Sequence, residues 1–328
     1  MRAALPSPRC EGFNGRVIEL EFGPADLAGL RFAHSPMAEV VASVFALRGG
    51  VWPHTSWRSR VTPMLQRWPT LRAVLLGPRG YAPDFLTPVP RRARPTLDEE
   101  LAVVAATPLD VVVEQVTAAR PGLEWFARDP RTSLGLLLTE IRAYFDAAIA
   151  PVWTRLRSAA EAEVAARSRD AADRGARALV EALHPRLAWD GSALLIRYPD
   201  KHGRWGLGGP DLTLLPTGFA GDHVYALHDE PGCRALWYAP RGFGNLWTPA
   251  PEPSAALAGL LGPTRAAVLT LLAAPHSTGQ VADRLGLAAG TASHHLTTLR
   301  DAGLIAAGRE GRRLLYQRTR LGDDLTTG

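Results

Sequence analysis

The sequence predicts an α+β protein: an α-rich N-terminal domain with a small antiparallel sheet, followed by a C-terminal module of three helices and a β-hairpin. Three observations predict this. Apolar residues recur at helical spacing through most of residues 24–184. From Trp189 the runs ALLIRY, LTLLPTGFA, HVYAL and CRALWYAP are rich in β-formers and separated by Gly, Pro and Asp turns. Beyond the proline-rich stretch TPAPEPSAA (248–256) a helical pattern returns and ends in two short strands around Gly311.

At 328 residues and 46% hydrophobic composition the chain can bury a sizeable core and exceeds the usual size of one domain. We divide it into a disordered tail (1–15), an α-rich region (16–187), a small β region packed on it (188–247), a Pro-rich linker (248–256), the helical and hairpin module (257–320) and a second tail (321–328). The stretch MRAALPSPRCEGFNG has no apolar h-region and is broken by Pro6 and Pro8, so neither a signal peptide nor an anchor is expected. Apolar runs such as LGLLLTEI fall far short of the roughly 20 residues that span a bilayer. A cytoplasmic protein with no membrane partner is therefore expected. With Cys10 and Cys233 the only cysteines, no disulfide framework supports the fold.

In chain order, RVIEL reads as a strand, and ADLAGLRFAHSPMAEVVASVFALRGG as two helices split at Ser35-Pro36 and stopped by Gly49-Gly50. Helical fragments follow around WRSRVTPMLQRW and PTLRAVLLG, then TLDEELAVVAATPLDVVVEQVTAARPG, then residues 130–150. A long Ala-rich helix is expected from Val152 to Leu183.

In the C-terminal module, Pro263 starts a helix with Ala267, Leu269, Leu271 and Leu272 on its apolar face, and Pro275 closes it. STGQVADRLG reads as a short helix capped by Ser277 or Thr278 and ended by Gly286. A third helix, from about Gly290 to Ala302, buries Ala292, Leu296 and Leu299, spaced by four and three. The strands LIAAGRE and RRLLYQR then flank Gly311. Helix, turn, helix and basic hairpin is the order of a winged helix-turn-helix, whose second helix lies in the DNA major groove.

Net charge is +5 and the pI about 9.7, which allows a polyanionic partner without requiring one. Lys201 is the only lysine, so arginine richness reads as codon bias and is discounted by itself. The distribution is more informative. Between His276 and Arg320, arginines 284, 300, 309, 312, 313, 318 and 320 face only Asp283, Asp301 and Glu310, a balance of +4. With the apolar stripe inward, Thr291, Ser293, His294, Thr297 and Thr298 fall on the flanks or the outer face, where short donors and acceptors reach base edges. Arg309, Arg312 and Arg313 supply a wing for phosphate or a minor groove.

The stretch VADRLGLAAGTASHHLTTLRDAGLIAAGREGRRLLYQ resembles the core of the ArsR-type winged-helix transcriptional regulators in its Ser-His-His-Leu run, its Leu-Arg-x-Ala-Gly-Leu exit and its arginine-rich wing. The resemblance spans roughly residues 257–320. The longer N-terminal part resembles the uncharacterised domain that precedes this module in many actinobacterial regulators, through DLAGLRFAHSPMAEVVASV and LWYAPRGFGNLW. The resemblance implies DNA contacts at Ser293 and His294, and also at Thr291 and His295, with repression as the direction of control. Ala289 and Gly290 depart from the family, standing where polar side chains often begin the recognition helix. Metal-sensing members carry cysteines in the first helix of the pair, or Asp and His ligands after the wing. APHSTGQVADRL has no Cys and no His follows Arg320, so no metal is expected at either place.

Other constellations carry less. Adjacent helical residues point about 100° apart, so His294 and His295 do not chelate one ion. Asp222, His223, His228, Asp229 and Cys233 offer donor atoms, but His223 and His228 are an odd number apart on a strand and face opposite sides; they read as turn residues. The tryptophans at 52, 57, 68, 125, 153, 189, 205, 237 and 247 read as core, with a pocket for a hydrophobic effector as the alternative. No Gly-rich phosphate loop, GxSxG or HExxH is present. The expectation is a non-enzymatic, cofactor-free regulator that binds double-stranded DNA as a homodimer on a palindromic operator; if a small-molecule effector acts, it binds the N-terminal region. The alternatives are a protein–protein interaction module that uses the winged helix as a docking surface, and an enzyme with its site in the N-terminal region.

Overall fold

The computed structural model describes residues 17–48, 53–76, 82–181, 183–198, 202–207, 211–229, 232–247, 252–273, 275–310 and 313–327. The expected tail at 1–15, together with Cys10, Trp52 and Arg312, lies outside them. The chain divides into two units, Met1–Trp247 and Thr248–Gly328, and each has its own apolar core.

In the N-terminal unit, β1 (Val17–Glu21) and β2 (Leu30–Phe32) precede the helices α1 (Pro36–Ala46), α2 (Thr55–Val61), α3 (Pro69–Leu75), α4 (Leu97–Ala105), α5 (Leu109–Ala119), α6 (Glu124–Arg128), α7 (Pro130–Tyr144) and α8 (Trp153–Arg174). The strands β3 (Leu187–Trp189), β4 (Ala193–Arg197), β5 (Gly203–Trp205), β6 (Leu212–Pro216), β7 (Val224–Asp229) and β8 (Gly232–Tyr238) follow. They form two sheets, ordered β3-β4-β1-β5 and β2-β6-β8-β7. The expected small antiparallel sheet is therefore corrected. Both sheets are mixed: β1 runs parallel to β5, and β6 parallel to β2 and β8. The strands of 188–247 thus share their sheets with β1 and β2. Such pairings join segments far apart in sequence, so local pattern does not reveal them.

β6 is buried at every position, because its sheet is covered on both faces. Leu212 and Leu214 meet Ile18, Leu20, Leu194 and Ile196 of the other sheet, while Leu215 packs with the helices. α1 is buried nearly all round, as expected of a helix at the centre of a core. It starts at Ser35, whose Oγ accepts from the Ala38 amide at 3.0 Å. The helix expected before Ser35 is instead a 3₁₀ turn, Pro24–Gly29, followed by β2. The long helix expected over 152–183 ends at Arg174, where Gly175 takes φ +83°, a conformation that favours glycine. No single helix among the described residues is long and apolar enough to cross a membrane.

The C-terminal unit comprises α9 (Ala255–Leu261), α10 (Pro263–Leu271), β9 (His276–Ser277), α11 (Thr278–Leu285), α12 (Ala289–Asp301), β10 (Ile305–Glu310), β11 (Arg313–Arg318) and α13 (Arg320–Thr327). Ser277 caps α11 in a reciprocal box with Gln280, and Gly286 closes it at φ +64°. α10 stops at Leu271, four residues before Pro275. β10 and β11 form an antiparallel hairpin, and β9 pairs with β11 through Ser277↔Leu315. The tail expected at 321–328 is instead mostly helix. A Cβ on Gly322 would collide with the Leu304 carbonyl oxygen, so the missing side chain lets α13 lie against that backbone. Thr319 fastens the junction, its amide donating to Leu304 O at 3.0 Å and its hydroxyl to Gly303 O at 2.7 Å.

Candidate nucleic-acid interface

The orientation of α12 follows from three side chains. Ala292, Leu296 and Leu299 are 0%, 0% and 1% exposed and share a core with Ala266 and Leu269 of α10 and Val281 of α11. Burying a leucine is worth about 1.5–3 kcal/mol, so turning α12 about its axis would sacrifice several kcal/mol. With that face fixed, Thr291, Ser293 and His294 are exposed, and His295 and Thr297 are half-buried. The Thr298 hydroxyl donates to the His294 carbonyl at 3.0 Å, which turns it back onto its own helix. The rings of His294 and His295 are 5.7 Å apart.

Ala288 precedes α12 and offers no side chain to accept from its first amides. Such first-turn N–H groups are donors without helical partners and favour anions. Ala289 and Gly290 are exposed, so early in the helix the backbone rather than side chains faces outward. The first polar side chain to emerge is that of Thr291.

His295 differs from its neighbour. Its Nδ1 is shut from solvent and has no hydrogen-bond partner among the described residues. Burial lowers its pKa, and the charges of His294 and of Arg265 on α10 add to the effect. Arg265, exposed on the first turn of α10, lies outside the 276–320 window in which the sequence shows its basic excess.

At the hairpin, Arg309 pairs with Leu314 and Glu310 with Arg313 across β10 and β11, so residues 309 and 313 sit near the turn on opposite strands. The side chains of Arg309 and Arg313, and all of Arg312, lie outside the described residues. Within the unit, Arg300 pairs with Asp301 at 2.9 Å and Arg318 with Asp323 at 3.0 Å.

The other constellations resolve into local contacts. His223 Nδ1 lies 2.8 Å from Asp222 Oδ1, while Cys233 is buried across from His228 with its thiol pushed up to about 12 by burial. Among the described residues no three His, Cys, Asp or Glu converge as a metal site. Trp57 packs on Phe219 at 4.4 Å between centroids, and the Trp247 indole N–H donates to His54 Nδ1 at 2.8 Å. These rings fill the N-terminal core against one another.

Residues 260–306 match the model of a family described as a helix-turn-helix domain. The C-terminal unit carries a helix-turn-helix of a DNA-binding transcriptional regulator. The matched residues run from the end of α9 through α10, β9, α11 and α12 into β10, and so include the Ala292, Leu296 and Leu299 stripe and its exposed opposite face. Neither curated proteins nor solved structures give a match to the chain.

Proposed function

We propose that the chain is an ArsR-like winged helix-turn-helix repressor that reads a palindromic operator in the cytoplasm. The observation that carries this reading is the orientation of α12. Its buried stripe turns Thr291, Ser293 and His294 outward on a helix of the matched segment, and short side chains of this kind reach major-groove base edges. His295 and Thr297 border that face. The β10–β11 hairpin acts as the wing, with Arg309, Arg312 and Arg313 on phosphate or in a minor groove. One recognition helix covers only a few base pairs, so a homodimer placing two about 34 Å apart gives a complete site. The N-terminal unit supplies dimerisation and effector sensing, and no catalytic step is assigned to the chain.

The test is selection of bound fragments from the host genome with the full-length protein. Enrichment of an inverted repeat, with half-sites about one helical turn apart, is the expected result. Fragments without a common sequence would reject sequence-specific operator binding. Salt titration addresses the wing: Arg312→Ala with Arg313→Ala flattens log K against log salt by about 0.9 for each phosphate that the wing no longer neutralises. An unchanged slope would remove the wing from the interface.

A further inference from the structure

We infer that Arg265 of α10 and His295 of α12 form one phosphate-binding position, extending the DNA contact beyond the recognition helix and the hairpin. This rests on the reading of the C-terminal unit as DNA-binding. α10 and α12 pack on each other, and Ala266, Leu269, Ala292 and Leu296 belong to the core they share. On α10, Arg265 is one turn before Leu269 on the same side of the helix, at the rim of the packed seam. On α12, His295 follows Ala292 by three and precedes Leu299 by four, which places it on the same seam. Arg265 is close enough for its charge to disfavour the protonated ring of His295.

Across α9, α10 and α12 the only carboxylate is Asp301; Asp283 stands on α11, and Asp323 and Asp324 on α13. Between Glu252 and Asp283, Arg265 is the only Asp, Glu, Lys or Arg, so it is not one charge of a mixed solvated face. Asp301 is engaged by Arg300. Arg265 is also the third residue of α10, in a first turn without an acidic residue, where the helix dipole disfavours a cation. His295 contributes a ring whose Nδ1 is shut in and unpartnered, leaving Nε2 as the edge that can reach outward. A cation placed against a helix N-terminus and beside a partly desolvated imidazole is relieved by an anion between them. A DNA phosphate flanking the groove occupied by α12 supplies one, bound by the Arg265 guanidinium and the His295 N–H.

Full-length wild type, Arg265→Gln, Arg265→Lys and the double variant Arg265→Gln/His295→Gln are titrated with a short mixed-sequence duplex over a range of salt. Arg265→Gln is expected to bind roughly 5–10-fold more weakly at low salt, with the slope flattened by about 0.9, as for one phosphate left without its cation. Arg265→Lys keeps the charge and is expected to keep the slope. Because both groups serve one phosphate, the double variant flattens the slope no further than Arg265→Gln. An unchanged slope in Arg265→Gln, a lysine variant as flat as the glutamine variant, or a second full decrement in the double variant would each overturn the inference. Wild type that binds the duplex at no salt concentration would instead overturn the DNA-binding reading beneath it.

Discussion

The two units keep their charges in opposite places. The N-terminal unit buries Glu39, Glu100, Glu163 and Arg167, whereas among its described residues the C-terminal unit buries no polar or charged side chain. Each buried carboxylate joins distant segments. Glu39 accepts from the amides of Gly218 at 2.7 Å and Phe219 at 3.2 Å and lies 3.0 Å from His34 Nε2. Glu100 accepts from the Met37 amide at 2.8 Å. Glu163 holds Arg167 at 2.7 Å and accepts from the Arg241 amide at 3.1 Å. Charges inside fix how that unit folds. The C-terminal unit is held by an apolar core and turns Thr291, Ser293 and His294 outward, where a charged polymer can meet them.

The largest expected effect comes from breaking a buried pair. Glu163→Ala leaves Arg167 buried without its carboxylate and is expected to cost the N-terminal unit about 3–5 kcal/mol. Denaturation followed by probes in each unit should show one transition shifted and the other unmoved. A shift shared by both units would break the contrast.

The pH dependence of the N-terminal unit comes next. Burial raises Glu100 to about 7, so the folded state favours its protonated form; this contribution is full at low pH and is lost as pH rises from about 4.5 to about 7. Burial lowers His54 to about 4. The folded state favours its neutral form, and stability is lost as pH falls from about 6.5 to about 4. The two slopes oppose each other over nearly the same window. Glu100→Gln should therefore leave stability rising with pH and His54→Gln should leave it falling, each by about 2–3 kcal/mol across the window. Urea titrations from pH 4 to 7.5 measure this; variants with identical slopes would contradict the assignment.

In the C-terminal unit, Gly322→Ala forces α13 off Leu304 and is expected to cost about 1–3 kcal/mol. A neutral result would mean that α13 does not hold its place. Leu321, 57% exposed on α13, gives the smallest effect: Leu321→Lys should change stability by no more than about 0.5 kcal/mol. It should also leave the sedimentation of the full-length protein unchanged if assembly depends on the N-terminal unit. Dissociation on that substitution would move the assembly surface to α13.

The same contrast explains what the sequence revealed. In α11 and α12 the apolar period, the Ser277 box and Gly286 are local signals, and they were enough to place the buried stripe and hence the outward face. The N-terminal sheets were not legible, because β1 and β2 are assigned by partners far along the chain. Gly175 and Gly322 show the ambiguity of glycine: one stops a helix expected to continue, the other sits inside a helix expected to be tail. Arg265 was missed because its closeness to His295 arises only when α10 packs on α12.

The claim that α12 reads sequence is tested most directly by Ser293→Ala and His294→Ala, titrated on a selected operator and on its scrambled counterpart. Either substitution should weaken operator binding by roughly 1–3 kcal/mol and leave binding to the scrambled duplex nearly unchanged. Equal losses on both duplexes would contradict base reading by α12.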